Sequence, residues 1–140
     1  MSDDVRFVVR GEPIPKGRPR VTKTGHAYTP QRTVVYEKLV RHSYIAQCGA
    51  FRFPDGSPIE ITINGYFPVP KSVSKRRAAK MQAGEYKTTR PDLDNIIKSI
   101  TDGLNGLAFK DDSQICVINA TKRYSRYPYT TVRLHMLQED

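Results

Sequence analysis

Tryptophan is absent from this 140-residue chain, cysteine occurs twice and histidine three times. Cys48 and Cys116 stand alone, outside any CxxC spacing, and read as ordinary reduced thiols. His26, His42 and His135 are scattered without zinc-ligand spacing, so no structural zinc is expected. No apolar run is long enough to span a bilayer, and no hydrophobic segment after the N-terminus resembles a secretory signal. A cytoplasmic protein without a membrane partner is therefore expected. Internal repeats and low-complexity tracts are also missing. In the absence of tryptophan, eight Tyr and five Phe must supply the aromatic part of core and surface.

Acidic residues are scarce as well: 14 Asp plus Glu stand against 23 Lys plus Arg, a formal charge of +9. An excess of that size points to a polyanionic partner, of which nucleic acid is the commonest. Charge alone leaves a merely soluble basic protein equally open. The length corresponds to one domain, residues 1–140, with a real but modest core.

The first predicted element is a short strand over Val5 to Val9. Gly11-Glu12-Pro13-Ile14-Pro15-Lys16-Gly17-Arg18-Pro19-Arg20 follows, with three prolines and two glycines in ten residues. Proline cannot donate to a ladder and glycine weakens regular structure, so this stretch reads as an ordered arm. Its cations Lys16, Arg18 and Arg20, with Lys23 just beyond, suit phosphate contacts on a backbone that the prolines restrict. Thr29-Pro30 predicts an N-cap and N1 proline opening a helix to about Gln47, with Val34, Val35, Leu39, Val40 and Ile45 as its buried stripe and Tyr36 and Tyr44 at its flanks. Ile59 to Phe67 alternates as a strand. Ser74 to Gly84 predicts a short helix carrying Lys75, Arg76, Arg77 and Lys80, a candidate DNA-facing surface whose bland alternative is a solvated helix face. Gln114 to Tyr124 and Thr130 to Leu137 alternate as two strands, joined as a hairpin through Ser125-Arg126-Tyr127-Pro128-Tyr129.

One stretch breaks the basic background. In Arg90-Pro91-Asp92-Leu93-Asp94-Asn95-Ile96-Ile97-Lys98 and onward, Leu93, Ile96, Ile97, Ile100, Leu104 and Leu107 recur at the steps of one buried helix face. Pro91 precedes this helix and Gly106 lies at its expected end. Asp94, Lys98, Asp102 and Asn105 share the opposite side. With Asp92 before the helix and Asp111-Asp112 after it, five carboxylates lie in or beside one short element. A helix N-terminus favours anions and accounts for one of them, but not for two plus a second pair. At about 1.5 Å of rise per residue the helix carries the chain roughly 20 Å, so Asp112 joins Asp92 and Asp94 only if the following strand runs back along the helix.

Clustered carboxylates repel unless protonated or bridged by a cation. Mg²⁺ takes one or two carboxylates with retained water and substrate phosphate oxygens. An EF-hand is excluded, because Ile96 and Ile97 occupy the places of its fifth-position ligand and sixth-position glycine. A basic surface that collects nucleic acid beside an acidic notch that collects Mg²⁺ suits a metal-dependent nuclease. Lys98 would stabilise charge on the scissile phosphate, its bland alternative being an i,i+4 partner of Asp94. Asn95, Asp102 and Asp111 are candidates for supporting groups, or simply polar-face residues.

Arg90-Pro91-Asp92-Leu93-Asp94-Asn95 with Lys98, then Asp102-Gly103-Leu104-Asn105-Gly106, then Asp111-Asp112-Ser113-Gln114-Ile115 resembles the RusA-type Holliday junction resolvases. Gly11-Glu12-Pro13 and Lys16-Gly17-Arg18-Pro19-Arg20 are similar to the opening of many members, so the resemblance covers nearly the whole chain. These are Mg²⁺-dependent endodeoxyribonucleases, often carried by prophages. The resemblance implies an α+β domain with a mixed β-sheet packed with helices, a homodimer, and symmetric strand incision of four-way DNA junctions. It implies metal binding by Asp92, Asp94 and Asp112, with Lys98 as the catalytic lysine. Lys16, Arg18, Arg20, Lys75, Arg76, Arg77 and Arg90 are the expected DNA-binding residues. Two rivals stay open from the residues alone: a nuclease for flaps or other branched DNA, and a non-catalytic protein that binds DNA structures.

Overall fold

A computed structural model describes residues 4–138. Its elements run β1 (Asp4–Arg10), β2 (Arg20–Val21), β3 (Ala27–Tyr28), α1 (Gln31–Cys48), β4 (Ile59–Pro68), α2 (Lys75–Gln82), α3 (Leu93–Leu104), a 3-10 turn (Asp112–Gln114), β5 (Ile115–Ser125) and β6 (Tyr129–Met136). Four strands form one sheet in the order β1-β6-β4-β5, antiparallel except for the parallel β4–β5 pair. The architecture is α+β with a mixed sheet, as expected. β2 and β3 form a separate two-stranded hairpin that follows the basic arm.

β4 organises the sheet because it is the strand most rigorously two-faced. Ile59, Ile61, Ile63 and Phe67 are buried, while Glu60, Thr62, Asn64 and Tyr66 are half-buried on the opposite face. The buried set meets Phe7 and Val9 of β1, Val132 and Leu134 of β6, and the helices α1 and α3 in one core. On the other face polar side chains bond across strands: Thr121 donates to Asn64 Oδ1 at 2.6 Å, and the Tyr66 and Tyr129 rings stack at 4.4 Å.

The central position of β4 corrects the expected hairpin over 125–129. β5 and β6 are not neighbours; β4 lies between them, parallel to one and antiparallel to the other. Residues 126–128 therefore pass over the end of β4, where Pro68 closes that strand. Alternation of both flanking strands is the same in either arrangement, so periodicity carried no information on which strand each one joins.

α1 also turns differently from its expected orientation. Its buried residues are Thr33, Tyr36, Val40 and Tyr44, whereas Val35, Leu39 and Ile45 are exposed. Two tyrosines thus anchor the helix: Tyr44 packs edge-on against Phe7 at 5.4 Å, and the Tyr36 hydroxyl shares a hydrogen bond with Thr130 Oγ1 at 3.2 Å. Large amphipathic rings bury more surface than a valine and satisfy their hydroxyls inside, so they outweigh the aliphatic stripe. The cap is one residue later than expected. Pro30 itself is the N-cap, with no side-chain bond, and its carbonyl accepts from Thr33 and Val34. The helix ends at Gly49, whose positive φ of 68° suits glycine.

α2 begins as expected, with Ser74 Oγ accepting from the Arg77 N–H at 3.1 Å. On α3, Ile96, Ile100 and Leu104 are fully buried and Leu93, Ile97 and Leu107 partly so, matching the expected face. α3 packs on α1 at Gly103, where an added Cβ would lie 3.0 Å from Val40 and 3.2 Å from the Glu37 carbonyl. Only a residue without a side chain allows that approach.

Candidate active site

Asp92 is the N-cap of α3, yet its carboxylate makes no capping bond and stays exposed. Asp94 is exposed in the first turn and accepts from the Asn95 N–H at 3.0 Å. The chain leading to them is held from β5: Lys122 Nζ donates to the carbonyls of Thr89 and Pro91, at 2.8 Å each.

Asp112 reaches this helix because the chain turns back directly after Leu104, whose carbonyl accepts from the Leu107 and Ala108 N–H groups. Its N–H donates to Asn105 Oδ1 at 3.1 Å, just past the end of α3. Arg41 of α1 braces the same turn through the carbonyls of Gly103 and Asn105, at 3.1 and 3.3 Å. Gln114 fastens the 3-10 turn from beneath, accepting from the Lys110 and Asp111 N–H groups and donating to the carbonyls of Pro54 and Ser57.

The two neighbouring aspartates have different surroundings. Asp111 is the N-cap of the 3-10 turn and accepts from the N–H and hydroxyl of Ser113. These bonds hold its carboxyl below the usual range. Asp112 instead lies 3.9 Å from Lys98 Nζ. Asp94, Ile97, Lys98, Thr101, Asp112, Ile115 and Ile118 together line a pocket of about 240 Å³. Asp92 lines a separate cleft of about 740 Å³ together with Arg18, Arg32, Lys87, Arg90 and Asn95. Asp94, Lys98 and Asp112 thus share one pocket, and Asp92 lines the neighbouring cleft. Among the described residues, no three carboxylate, histidine or cysteine groups converge closely enough to enclose a metal.

The donor set still fits a hard divalent cation. Mg²⁺ needs only one or two carboxylates and keeps several waters, and Asp94 and Asp112 supply two oxygen-ligand side chains to one pocket. Among the ion pairs of the described residues, none neutralises Asp92 or Asp94, despite the basic excess of the chain.

Lys98 turns forward to Asp102, at 2.9 Å, rather than back to Asp94. That hydrogen bond, and the nearby charge of Asp112, push its ammonium above the ordinary lysine value. Burial alone would raise Asp102, but hydrogen bonds from Lys98 and Lys16 overcome it and hold the carboxyl below its ordinary value.

The expected DNA-binding residues divide. Arg18 and Arg90 line the cleft, Arg20 lies exposed in the β2–β3 hairpin, and Lys75 and Arg76 are exposed on α2. Arg77 grips both oxygens of Glu85, at 2.6 and 2.7 Å. Lys16 also lines the cleft, but its ammonium is held by Glu37 at 2.8 Å and Asp102 at 3.0 Å. Arg32 and Lys87 join the cleft rim although no motif singled them out: Arg32 lies on α1, distant in sequence, and Lys87 just ahead of Arg90.

Comparison with known proteins identifies the family of this chain. The model of the endodeoxyribonuclease RusA family matches residues 10–135. The chain is also similar to an uncharacterized protein of Bacillus subtilis (strain 168), YqaN, with 34% identity over 141 residues that cover 94% of this chain and 96% of the relative. The match spans the arm, the acidic helix and the 3-10 turn alike, and the chain belongs to the RusA endodeoxyribonuclease family.

Proposed function

We propose that this protein is a Mg²⁺-dependent endodeoxyribonuclease that resolves four-way DNA junctions by paired, symmetric strand incisions during recombination and repair, acting as a homodimer. The observation that carries this reading is the grouping of Asp94, Lys98 and Asp112 around one pocket, with a cation-rimmed cleft opening at Asp92 on the same helix. A nuclease needs both parts: cations to hold a phosphate backbone and carboxylates to hold a metal.

Asp94 and Asp112 would hold the Mg²⁺, with Asp92 approaching from the cleft side. When bound, the ion supplies positive charge at the phosphate and a more acidic water. Lys98 has one donor direction fixed on Asp102 and its side chain about half exposed. Its other N–H bonds can meet a phosphate oxygen as negative charge develops there. Arg18, Arg32, Lys87 and Arg90 would hold the strand by its phosphates, which fixes position without reading sequence. Two equivalent nicks require two sites, and a C2 pair of chains supplies them. Val117 and Ile118, exposed on the edge strand β5 beside the pocket, support such pairing.

The test is incubation with Mg²⁺ and end-labelled four-way, flap and linear duplex DNA. The proposal expects the junction to be cut in preference to the others. Faster cutting of the flap would make the protein a flap nuclease, and binding without cutting would make it a structural DNA binder.

A further inference from the structure

We propose that Lys16 is a positioning residue: it holds one oxygen of Asp102 so that the other fixes Lys98 beside Asp112, tying the N-terminal arm to the nuclease centre. This rests on the nuclease reading above. Five alternating charges form the link, Glu37, Lys16, Asp102, Lys98 and Asp112, drawn from α1, the arm, α3 and the 3-10 turn. Lys16 Nζ lies 2.8 Å from Glu37 Oε2 and 3.0 Å from Asp102 Oδ2, and Lys98 Nζ lies 2.9 Å from Asp102 Oδ1.

The geometry differs from that of a phosphate-seeking lysine. The Lys16 side chain is 21% exposed, against 53% for Lys98. Its backbone is fixed as well, the N–H donating to the Asn95 carbonyl at 2.8 Å, one turn before Lys98. The next residue, Gly17, donates to Thr33 Oγ1 at 2.9 Å and lies so close to Pro30 that an added Cβ would stand 2.8 Å from its ring. The arm is therefore clamped between α1 and α3, and Lys16 enters the gap between them. Asp102 has two oxygens and two ammonium partners. With Oδ2 held by Lys16, Oδ1 is the oxygen turned to Lys98, which sets the direction of that ammonium. Without Lys16 the carboxylate is free to rotate, Lys98 follows it, Asp102 and Asp112 share that one cation, and Glu37 is left stranded.

The test compares Lys16→Met with the wild type in single-turnover cleavage of a four-way junction at saturating protein, alongside junction affinity over a range of salt. The expected result is a fall in cleavage rate of about a hundredfold, the scale of a misplaced reacting group, with affinity and salt slope unchanged. Lys16→Arg, whose guanidinium can bridge both carboxylates, is expected to recover most of the rate. If Lys16→Met alone melts early, Lys16→Met with Glu37→Gln removes the stranded acid and is read instead. A ¹⁵N spectrum of the lysine ammonium groups gives a readout independent of activity, and the Lys98 signal is expected to shift in Lys16→Met. Weaker junction binding with a salt slope reduced by about 0.9 and an unchanged rate at saturation would overturn the inference and make Lys16 a phosphate ligand. A Lys98 signal that stays in place would overturn it too. Wild-type protein that cuts no branched DNA, with a Lys98 signal that still moves, would remove the nuclease reading and leave the link standing.

Discussion

Val35 and Val40 sit five residues apart on α1 and invite the same substitution with opposite results. Val40 is fully buried, packed where Gly103 admits α1 against α3, while Val35 is 55% exposed. Val40→Ala removes two carbons from the core, at about 0.8 kcal/mol each, and leaves a cavity of comparable cost. Alanine's better helix propensity returns about 0.5 kcal/mol, so the net loss is about 2–3 kcal/mol. For a chain of this length that lowers Tm by roughly 6–15 °C. Val35→Ala loses only partial burial, gains the same propensity, and stays within about 0.5 kcal/mol of the wild type. Thermal unfolding followed by circular dichroism at one protein concentration measures both. Equal losses would refute the orientation of α1, and with it the placement of Glu37 against Lys16.

Further expectations concern the site. Asp92→Asn, Asp94→Asn and Asp112→Asn each abolish junction cleavage while binding stays intact or tightens, because each removes metal-holding charge and also repulsion toward phosphate; gel-shift and cleavage assays separate the two effects. Replacing Arg18, Arg32 and Arg90 together by alanine weakens binding to all DNA and lowers the log–log salt slope by about 0.9 for each lost phosphate contact, as titrations at several salt concentrations would record. The folded state holds Asp102 below its ordinary carboxyl value, so its contribution to stability is present above that value and is lost as pH falls through the lower folded one. Denaturant melts should thus show Asp102→Asn less stable than wild type near neutrality, with the gap closing in acid; a gap that widened in acid would reverse the sign of that coupling.

Much of the site was legible because charge and period coincide there. The apolar steps from Leu93 to Leu104 predict the buried face of α3, and the acidic stretch in a basic chain contains Asp94 and Lys98, which line one pocket with Asp112. The placement of Asp112 beside Lys98 depends on the tight return of the chain after α3 and its bond to Asn105, a tertiary arrangement that alternation alone does not encode. For the same reason the β5–β6 hairpin was misread: two alternating strands with a short connection look alike whether or not a third strand lies between them. Aliphatic spacing gives the wrong face of α1, because Tyr36 and Tyr44, whose hydroxyls find partners inside, turn the helix instead. Lys16 is the most instructive case. Its position in a run of cations suggests a phosphate ligand, and only the fold places Glu37 and Asp102, distant in sequence, around it.

The most direct measurement is incision of a supercoiled plasmid that extrudes a cruciform, with wild-type protein, Asp94→Asn and Asp112→Asn, in Mg²⁺ and in EDTA. Paired cuts made within one binding event linearise the plasmid, whereas single cuts leave open circles. The account predicts linear product from the wild type in Mg²⁺ alone, with 5′ ends mapping symmetrically across the junction, and uncut plasmid from both variants and in EDTA. Wild-type protein that leaves the plasmid supercoiled in Mg²⁺, or variants that linearise it at the wild-type rate, would contradict it.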